Sequence, residues 1–261
     1  MQSDLCRKIN AIDGCECMLD PFETGKAWFM YSKLERDFLD TASYVALDIA
    51  HSKVWSERFG ELLTRTGDLV DSSFRLMITS KSLDGESIVQ TLRAKMATEQ
   101  NKNANWFPDI RDFGETFDPI FQLSSLEVEA GYGLTSYGKL HPFMDFNKQS
   151  PSWWKPYNKV KHEIFEEMEN EATLENSINA LAAFFILNIL HKESQRYLVR
   201  KTDVIVTEFL QRRYIEQSLN ASFIGSPNNM QAFEFVARTA LFTHVFRVDP
   251  DPKKRVDSFL I

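Results

Sequence analysis

The run ALAAFFILNIL, Ala180 to Leu190, sets the strongest limit on how this chain folds. Asn188 is its one polar residue. A helix of this composition has no polar face to turn to water, so it belongs at the centre of a bundle. The run reaches only about half the length of a bilayer crossing, so the sequence predicts a buried core helix and no membrane partner. Its flanks, LENSINALAAFFILNILHKESQRYLV, extend the helical pattern on both sides after Thr173.

A central apolar helix needs amphipathic neighbours, and spacing near 3.6 residues supplies them. In YSKLERDFLDTASYVAL, Leu34, Phe38, Ala42 and Val45 fall on one stripe of a helix entered from Thr24. A second helix is expected from Ser52 as N-cap through WSERFGELLTRTGDLVDSSFRLMIT. Trp55, Phe59, Leu62, Leu69 and Phe74 are on its inner side, with Glu61–Arg65 and Asp71–Arg75 as i,i+4 pairs outside. SIVQTLRAKMATEQ makes a shorter third helix. From 106 to 152 prolines, glycines and aromatics interrupt any sustained helical period, and the segment reads as an irregular insertion. Within it LEVEAGYGLTSYGKLHPF predicts a small hairpin around Gly131 and Gly133. Two further helices are expected near the C-terminus, VIVTEFLQRRYIEQSLNASF and then NNMQAFEFVARTALFTHVF, the latter opened by Ser226 and Pro227.

The expected architecture is an all-α bundle of six or seven helices forming a single domain over 1–261. N-terminal helices fill 24–105, the irregular insertion 106–152, the motif helix and central helix 153–200, and C-terminal helices with a tail 201–261. A hydrophobic content of 43% with 13% aromatic residues can fill such a core. The formal charge of -7, from 30 basic and 37 acidic residues, argues against a surface wholly built for nucleic acid and leaves room for a local basic groove. Cys6, Cys15 and Cys17 have no second pair downstream to complete a zinc site. They read as reduced thiols of a cytoplasmic protein, with no secretory signal at the N-terminus.

The chemistry-bearing candidates lie in SPSWWKPYNKVKHEIF, Ser150 to Phe165. Pro156 fits the first turn of a helix, because its missing N–H is not needed there. At 100° per residue Tyr157, Val160, Ile164 and Met168 form the core stripe, Lys161 and Phe165 one shoulder, and Asn158 with His162 an i,i+4 pair at its edge. An ammonium among rings must pair, stack or snorkel, since burying it alone costs several kcal/mol. Two readings stay open. Lys161 snorkels past Tyr157 and the polar groups are satisfied helix-edge residues, or Asn158, Lys161 and His162 form a pocket walled by Trp153, Trp154 and Tyr157 that suits an anionic or nucleotide-like ligand.

YNKVKH at 157–162 resembles the RNxxxH motif of the HEPN superfamily, all-helical proteins that include metal-independent endoribonucleases, toxins and parts of prokaryotic defence systems. The resemblance implies a HEPN-like core, a homo-oligomer that brings two motif copies together, and RNA or nucleotide chemistry without a cofactor. Asn158 and His162 match the second and last motif positions, while Tyr157 stands where the family has Arg. A tyrosine hydroxyl supplies neither the charge nor the bidentate fork of a guanidinium. The wider pattern, LERDFLDT, GDLVDSSF and SWWKPYNKVKH followed by an Ala/Leu-rich helix, is similar to an uncharacterised bacterial protein family over roughly residues 31–195.

The expected function is therefore a non-catalytic binding or regulatory module, with prokaryotic defence as its setting. Trp153, Trp154, Tyr157, Asn158, Lys161 and His162 would meet an RNA, nucleotide or protein partner. The alternative is an endoribonuclease with His162 as general acid or base, Lys161 on the phosphate and Asn158 orienting it. Other signals are weaker. RTALFTH, Arg238 to His244, is a relaxed motif match in which His244 reads as a packed core histidine. The carboxylates Glu163, Glu166, Glu167, Glu169 and Glu171 read as a solvated helix face, with no metal expected. The tripeptide DFG at 112–114 lacks every companion kinase motif. QRRY at 211–214 and KKR at 253–255 read as solubilising patches.

Overall fold

The computed structural model describes residues 25–131, 133–190, 204–206 and 233–248. Seven α-helices lie among them: α1 Lys26–Thr41, α2 Glu57–Thr79, α3 Ser87–Lys102, α4 Ile110–Phe121, α5 Trp154–His162, α6 Ile164–Glu171 and α7 Leu174–Leu190. Five strands accompany them: β1 Val128–Ala130, β2 Lys139–Leu140, β3 Val204–Val206, β4 Phe233–Arg238 and β5 Phe242–Val248. The fold is mostly helical.

The apolar run forms α7 and is buried from Ala180 through Leu190, as its composition demands. It packs on α2 and α1, and rings fill the joint: Phe185 lies 5.5 Å from Tyr31 and 6.2 Å from Trp28 between centroids. The stripe of α1 buries Leu34 and Phe38, and the helix ends at Thr41, short of Ala42 and Val45. Thr24 lies outside the described residues. Helix α2 starts one turn later than expected, with Ser56 rather than Ser52 as N-cap; its hydroxyl accepts from the Phe59 N–H at 3.1 Å. Trp55 therefore precedes the helix and is 43% exposed, while Phe59, Leu62 and Phe74 are buried. Of the expected i,i+4 pairs Asp71–Arg75 forms at 2.6 Å, whereas Arg65 reaches back to Asp37 of α1 at 3.0 Å. No helix among the described residues is long and apolar enough to cross a membrane.

Two expectations are corrected. The stretch 106–152 is not wholly irregular, because α4 occupies Ile110–Phe121. The Asp109 carboxylate accepts from the N–H groups of Arg111 and Asp112, and Asp112 answers by accepting from the Asp109 N–H, so a reciprocal cap nucleates the helix. Its inner face carries Phe113 and Phe117, which join Phe74 of α2 with Phe143 and Phe146 in one aromatic cluster. Gly114, the last residue of the DFG tripeptide, is a packing residue: a Cβ there would come 2.2 Å from the Phe146 carbonyl oxygen.

The second correction is NNMQAFEFVARTALFTHVF, which is not a helix over its described part. FEFVAR and FTHVFRV are rich in aromatic and β-branched residues, and they form β4 and β5. Thr239 closes the connection by donating its N–H to the Phe242 carbonyl at 2.8 Å. The hairpin expected within LEVEAGYGLTSYGKLHPF, 126–143, is present as β1 against β2, and it joins the larger antiparallel sheet in the order β2-β1-β5-β4-β3. The mostly helical character expected of an all-α bundle holds, with one antiparallel sheet added to it among the described residues. Within VIVTEFLQRRYIEQSLNASF, Val204–Val206 is a strand, and the rest of that expected helix lies outside the described residues. So do Ser226, Pro227, both solubilising patches and the three cysteines.

Candidate functional site

Helix α5, WKPYNKVKH, carries the candidate residues, with Pro156 in its first turn as expected. Trp153 precedes it as N-cap. That indole is fully buried and donates to the Pro142 carbonyl at 2.9 Å, so Trp153 anchors the 142–154 segment, and the structure does not bring it to the surface that the other five candidates share. Trp154 is 8% exposed, with its ring 4.9 Å from that of Tyr157.

Tyr157 explains both itself and Lys161. Its ring lies flat on α2 at Gly67, where a Cβ would come 2.3 Å from a ring carbon. Its hydroxyl donates to Asp68 Oδ1 at 2.6 Å. Lys161 donates to the same oxygen at 2.7 Å and to the tyrosine hydroxyl at 2.9 Å. Burial and then the Asp68 hydrogen bond push the Tyr157 hydroxyl up to about 12, so it stays protonated. Asp68 and then Tyr157 raise the Lys161 ammonium above its ordinary range, so it stays charged. The ammonium neither snorkels freely nor offers an unengaged charge; it is tied to α2.

Asn158 turns its amide back along its own helix, Nδ2 donating to the Trp154 carbonyl at 3.1 Å. His162 is exposed. The helix stops there because Glu163 adopts φ -131 and ψ 48, outside helical values. The expected stripe therefore breaks: Tyr157 and Val160 are buried, but Ile164 is 46% and Phe165 96% exposed on the restarted helix α6. Met168 does pack inward over Gly60, where a Cβ would meet its sulfur at 2.4 Å. Lys159 spans the break to Glu171 at 2.8 Å and Glu167 at 3.1 Å, and these carboxylates raise its ammonium in that order. They hold this lysine, and no cluster of three or more metal-ligating side chains occurs among the described residues.

A groove of about 730 Å³ runs between α5 and the 107–111 segment. Trp154, Tyr157, Asn158, Lys161 and His162 all line it, so five of the six expected residues share one surface. Arg75, Phe107, Arg111 and Lys155 line it too, and none of them stands out in the sequence as a site residue. The Arg75 guanidinium donates to Asp71 at 2.6 Å and lies 3.9 Å over the Phe107 ring, a flat cationic face on the wall. Asp71 and Arg75 were visible as an i,i+4 pair, but nothing local to them announces Phe107, thirty-two positions on. Five basic side chains, Arg75, Arg111, Lys155, Lys159 and Lys161, meet three acidic ones, Asp71, Asp109 and Glu163, in a chain whose formal charge is -7. Asp109 is already engaged as the α4 cap. Arg75, Lys159 and Lys161 are paired with Asp71, with Glu167 and Glu171, and with Asp68, so the groove's available positive charge comes from the exposed Arg111 and Lys155.

The second motif match lies elsewhere. Arg238 is in β4 and His244 in β5, where the imidazole is 8% exposed and its Nδ1 is 2.7 Å from the Glu127 carbonyl oxygen. His244 is a packed histidine on the strand next to β1. No protein-family model, no curated protein and no solved structure matches this chain.

Proposed function

We propose that this protein is a HEPN-like binding or regulatory module that does not cut RNA, and that its groove along α5 takes an anionic ligand of the RNA or nucleotide class. The observation that carries this reading is the joint engagement of Tyr157 and Lys161 by Asp68. A phosphodiester-cleaving site needs a cation free to meet charge that develops on the scissile phosphate. Here the Arg position of the motif is a tyrosine turned onto α2, and the nearest lysine is half neutralised by a carboxylate. What is left in the groove suits binding: exposed Arg111 and Lys155, the Arg75–Phe107 face, and His162 at the rim. The prokaryotic-defence setting and the homo-oligomer come from the resemblance of YNKVKH to the HEPN motif, and the cytoplasmic setting from the reading of Cys6, Cys15 and Cys17 as reduced thiols.

The test uses the full chain with labelled single-stranded RNA in EDTA. Binding should weaken steeply with salt, as expected when phosphates displace counterions from basic side chains, and Arg111→Glu with Lys155→Glu should abolish it. Cleavage should be absent, and His162→Ala should change nothing in the product pattern. Robust metal-independent cutting lost in His162→Ala would install the endoribonuclease reading, with His162 as general acid or base and Asn158 and Lys161 as its partners.

A further inference from the structure

The groove has two ends, and Lys161 and His162 of the motif lie at only one of them. Gly60 of α2 faces Met168 and Gly67 faces Tyr157, so α2 and the 157–168 stretch run in opposite directions. Arg75, further along α2, therefore lies toward the first turn of α5 and Lys155. This end holds the groove's uncommitted cations. Arg111 and Lys155 are exposed and form no ion pair among the described residues. Each is the second residue of its helix, Arg111 of α4 and Lys155 of α5, and α5 starts without a side-chain cap. The helix dipole there adds to the lysine's pull on an anion. Beside these cations the Arg75 guanidinium is held in place, its Nε donating to Asp71 at 2.6 Å and its carbon 3.9 Å from the centre of the half-buried Phe107 ring. The arginine side chain is still 42% exposed, which leaves the face away from Phe107 open to the groove.

We propose that this end of the groove binds a nucleoside phosphomonoester, with the base stacked on the open face of Arg75 and the phosphate held by Arg111 and Lys155. The inference rests on the reading of the groove as anion-binding and names the ligand through residues outside the motif. A guanidinium plane backed by a ring is a platform on which any base can stack. Asp71 and Phe107 already hold Arg75, so little side-chain freedom is lost when a base arrives. The form of the phosphate follows from charge. A phosphomonoester carries about −1.5 to −2 at neutral pH, whereas each phosphodiester inside a strand carries a single charge. Two unpaired cations match the former. The acidic residues of the lining do not oppose it: Asp109 is engaged by two N–H groups of α4, and Glu163 lies about 12 Å along α5 from Lys155. Two sources present this chemistry, a free nucleoside monophosphate and the phosphorylated end of an RNA strand.

Calorimetric titration of the full chain with adenosine monophosphate, ribose 5-phosphate and adenosine tests both halves. The nucleotide should bind roughly tenfold tighter than either fragment, since one lacks the base and the other the charge. Phe107→Leu keeps apolar bulk behind Arg75 and removes the ring, while Arg75→Lys keeps the charge and removes the plane. Each should bring the nucleotide down to the level of ribose 5-phosphate and leave ribose 5-phosphate itself unchanged, a pattern that misfolding does not produce. Arg111→Glu/Lys155→Glu should lose both. Ribose 5-phosphate or adenosine that binds as tightly as the nucleotide, or nucleotide binding indifferent to Phe107→Leu, overturns the proposal. Fluorescence anisotropy with one short RNA sequence, carrying a 5′-phosphate or a 5′-hydroxyl, separates the sources. A phosphorylated strand that binds at least as tightly as the nucleotide assigns the site to an RNA end, and a weaker one assigns it to the free nucleotide. Equal binding of the two strands that is lost in Arg111→Glu/Lys155→Glu overturns the phosphomonoester and leaves the groove's function standing. Absence of binding by every strand and nucleotide removes both.

Discussion

Asp68 holds two donors with one oxygen, and its neighbour Gly67 makes room for the ring that brings one of them. Without a side chain at 67 the Tyr157 ring can sit against the α2 backbone, which places its hydroxyl 2.6 Å from the carboxylate and leaves Lys161 a second acceptor. Asp68→Ala should therefore lower stability by about 1–2 kcal/mol, chiefly by stranding the half-buried hydroxyl. The Lys161–Asp68 pair adds little, since both side chains are substantially solvated at 38% and 50%. The pH dependence has a definite sign. Tyr157 ionises near an ordinary 10.0 when unfolded and at about 12 when folded, and Lys161 is likewise raised from 10.5. The native state thus holds protons that the unfolded chain releases, so this contribution is full below about pH 10 and is lost as pH climbs toward 12. Urea unfolding across that window should show falling stability in the wild type and a shallower fall in Asp68→Ala. Equal slopes would mean that burial alone, without Asp68, raises the Tyr157 hydroxyl. Lys161 stood out in the sequence as an ammonium in need of a partner. The partner did not, since it lies 93 positions away and nothing in one sequence links the two.

Elements differ in how openly the sequence declares them. Helix α7 is legible because no other structure tolerates so many apolar residues without a polar face, and it is buried along its whole apolar run. Leu181→Asp should accordingly abolish soluble folding, because the carboxylate would be buried with no partner. Soluble, cooperatively unfolding protein from that variant would place α7 at the periphery. Helix α4 was legible in principle through Ile110, Phe113, Phe117 and Phe121 at helical spacing behind an Asp109–Asp112 cap. Gly114 and Pro119 masked it, yet the structure uses the glycine for close approach and carries the proline near the helix end. Strands β4 and β5 are hidden in the sequence for a different reason. ALFTHVF supports a helical stripe and an extended segment alike, and the decision comes from pairing with β1, a tertiary effect that overrides local preference. The α5–α6 break has the same character: the stripe of Tyr157, Val160, Ile164 and Met168 is continuous on paper, and the backbone turns at Glu163 instead.

At the scale of the whole molecule the sheet and the helices share one core. The Phe242 ring of β5 packs 5.7 Å from Phe185 of α7. The Glu35 carboxylate of α1 accepts the Leu241 N–H at 3.0 Å and the Tyr31 hydroxyl at 3.0 Å, while that hydroxyl also meets Thr239 at 3.2 Å. Burial, with Glu35 beside it, pushes the Tyr31 hydroxyl well above its ordinary value, so it remains a neutral link between α1 and the β4–β5 turn. A hairpin fixed in this way to the central helix pair cannot melt alone without exposing Phe242 and stranding the Leu241 N–H. Unfolding in urea should then be a single transition, with circular dichroism of the helices and hydrogen exchange at Leu241 reporting the same free energy. Glu35→Ala removes the shared acceptor and should cost about 1–3 kcal/mol. It should also let exchange at Leu241 run ahead of helix melting, because the turn has lost its tie to α1 while Phe242 still holds the strand. Coincident curves in the variant would show that the aromatic contact alone couples sheet to bundle. An early transition at Leu241 in the wild type would show that the sheet is a separate cooperative unit.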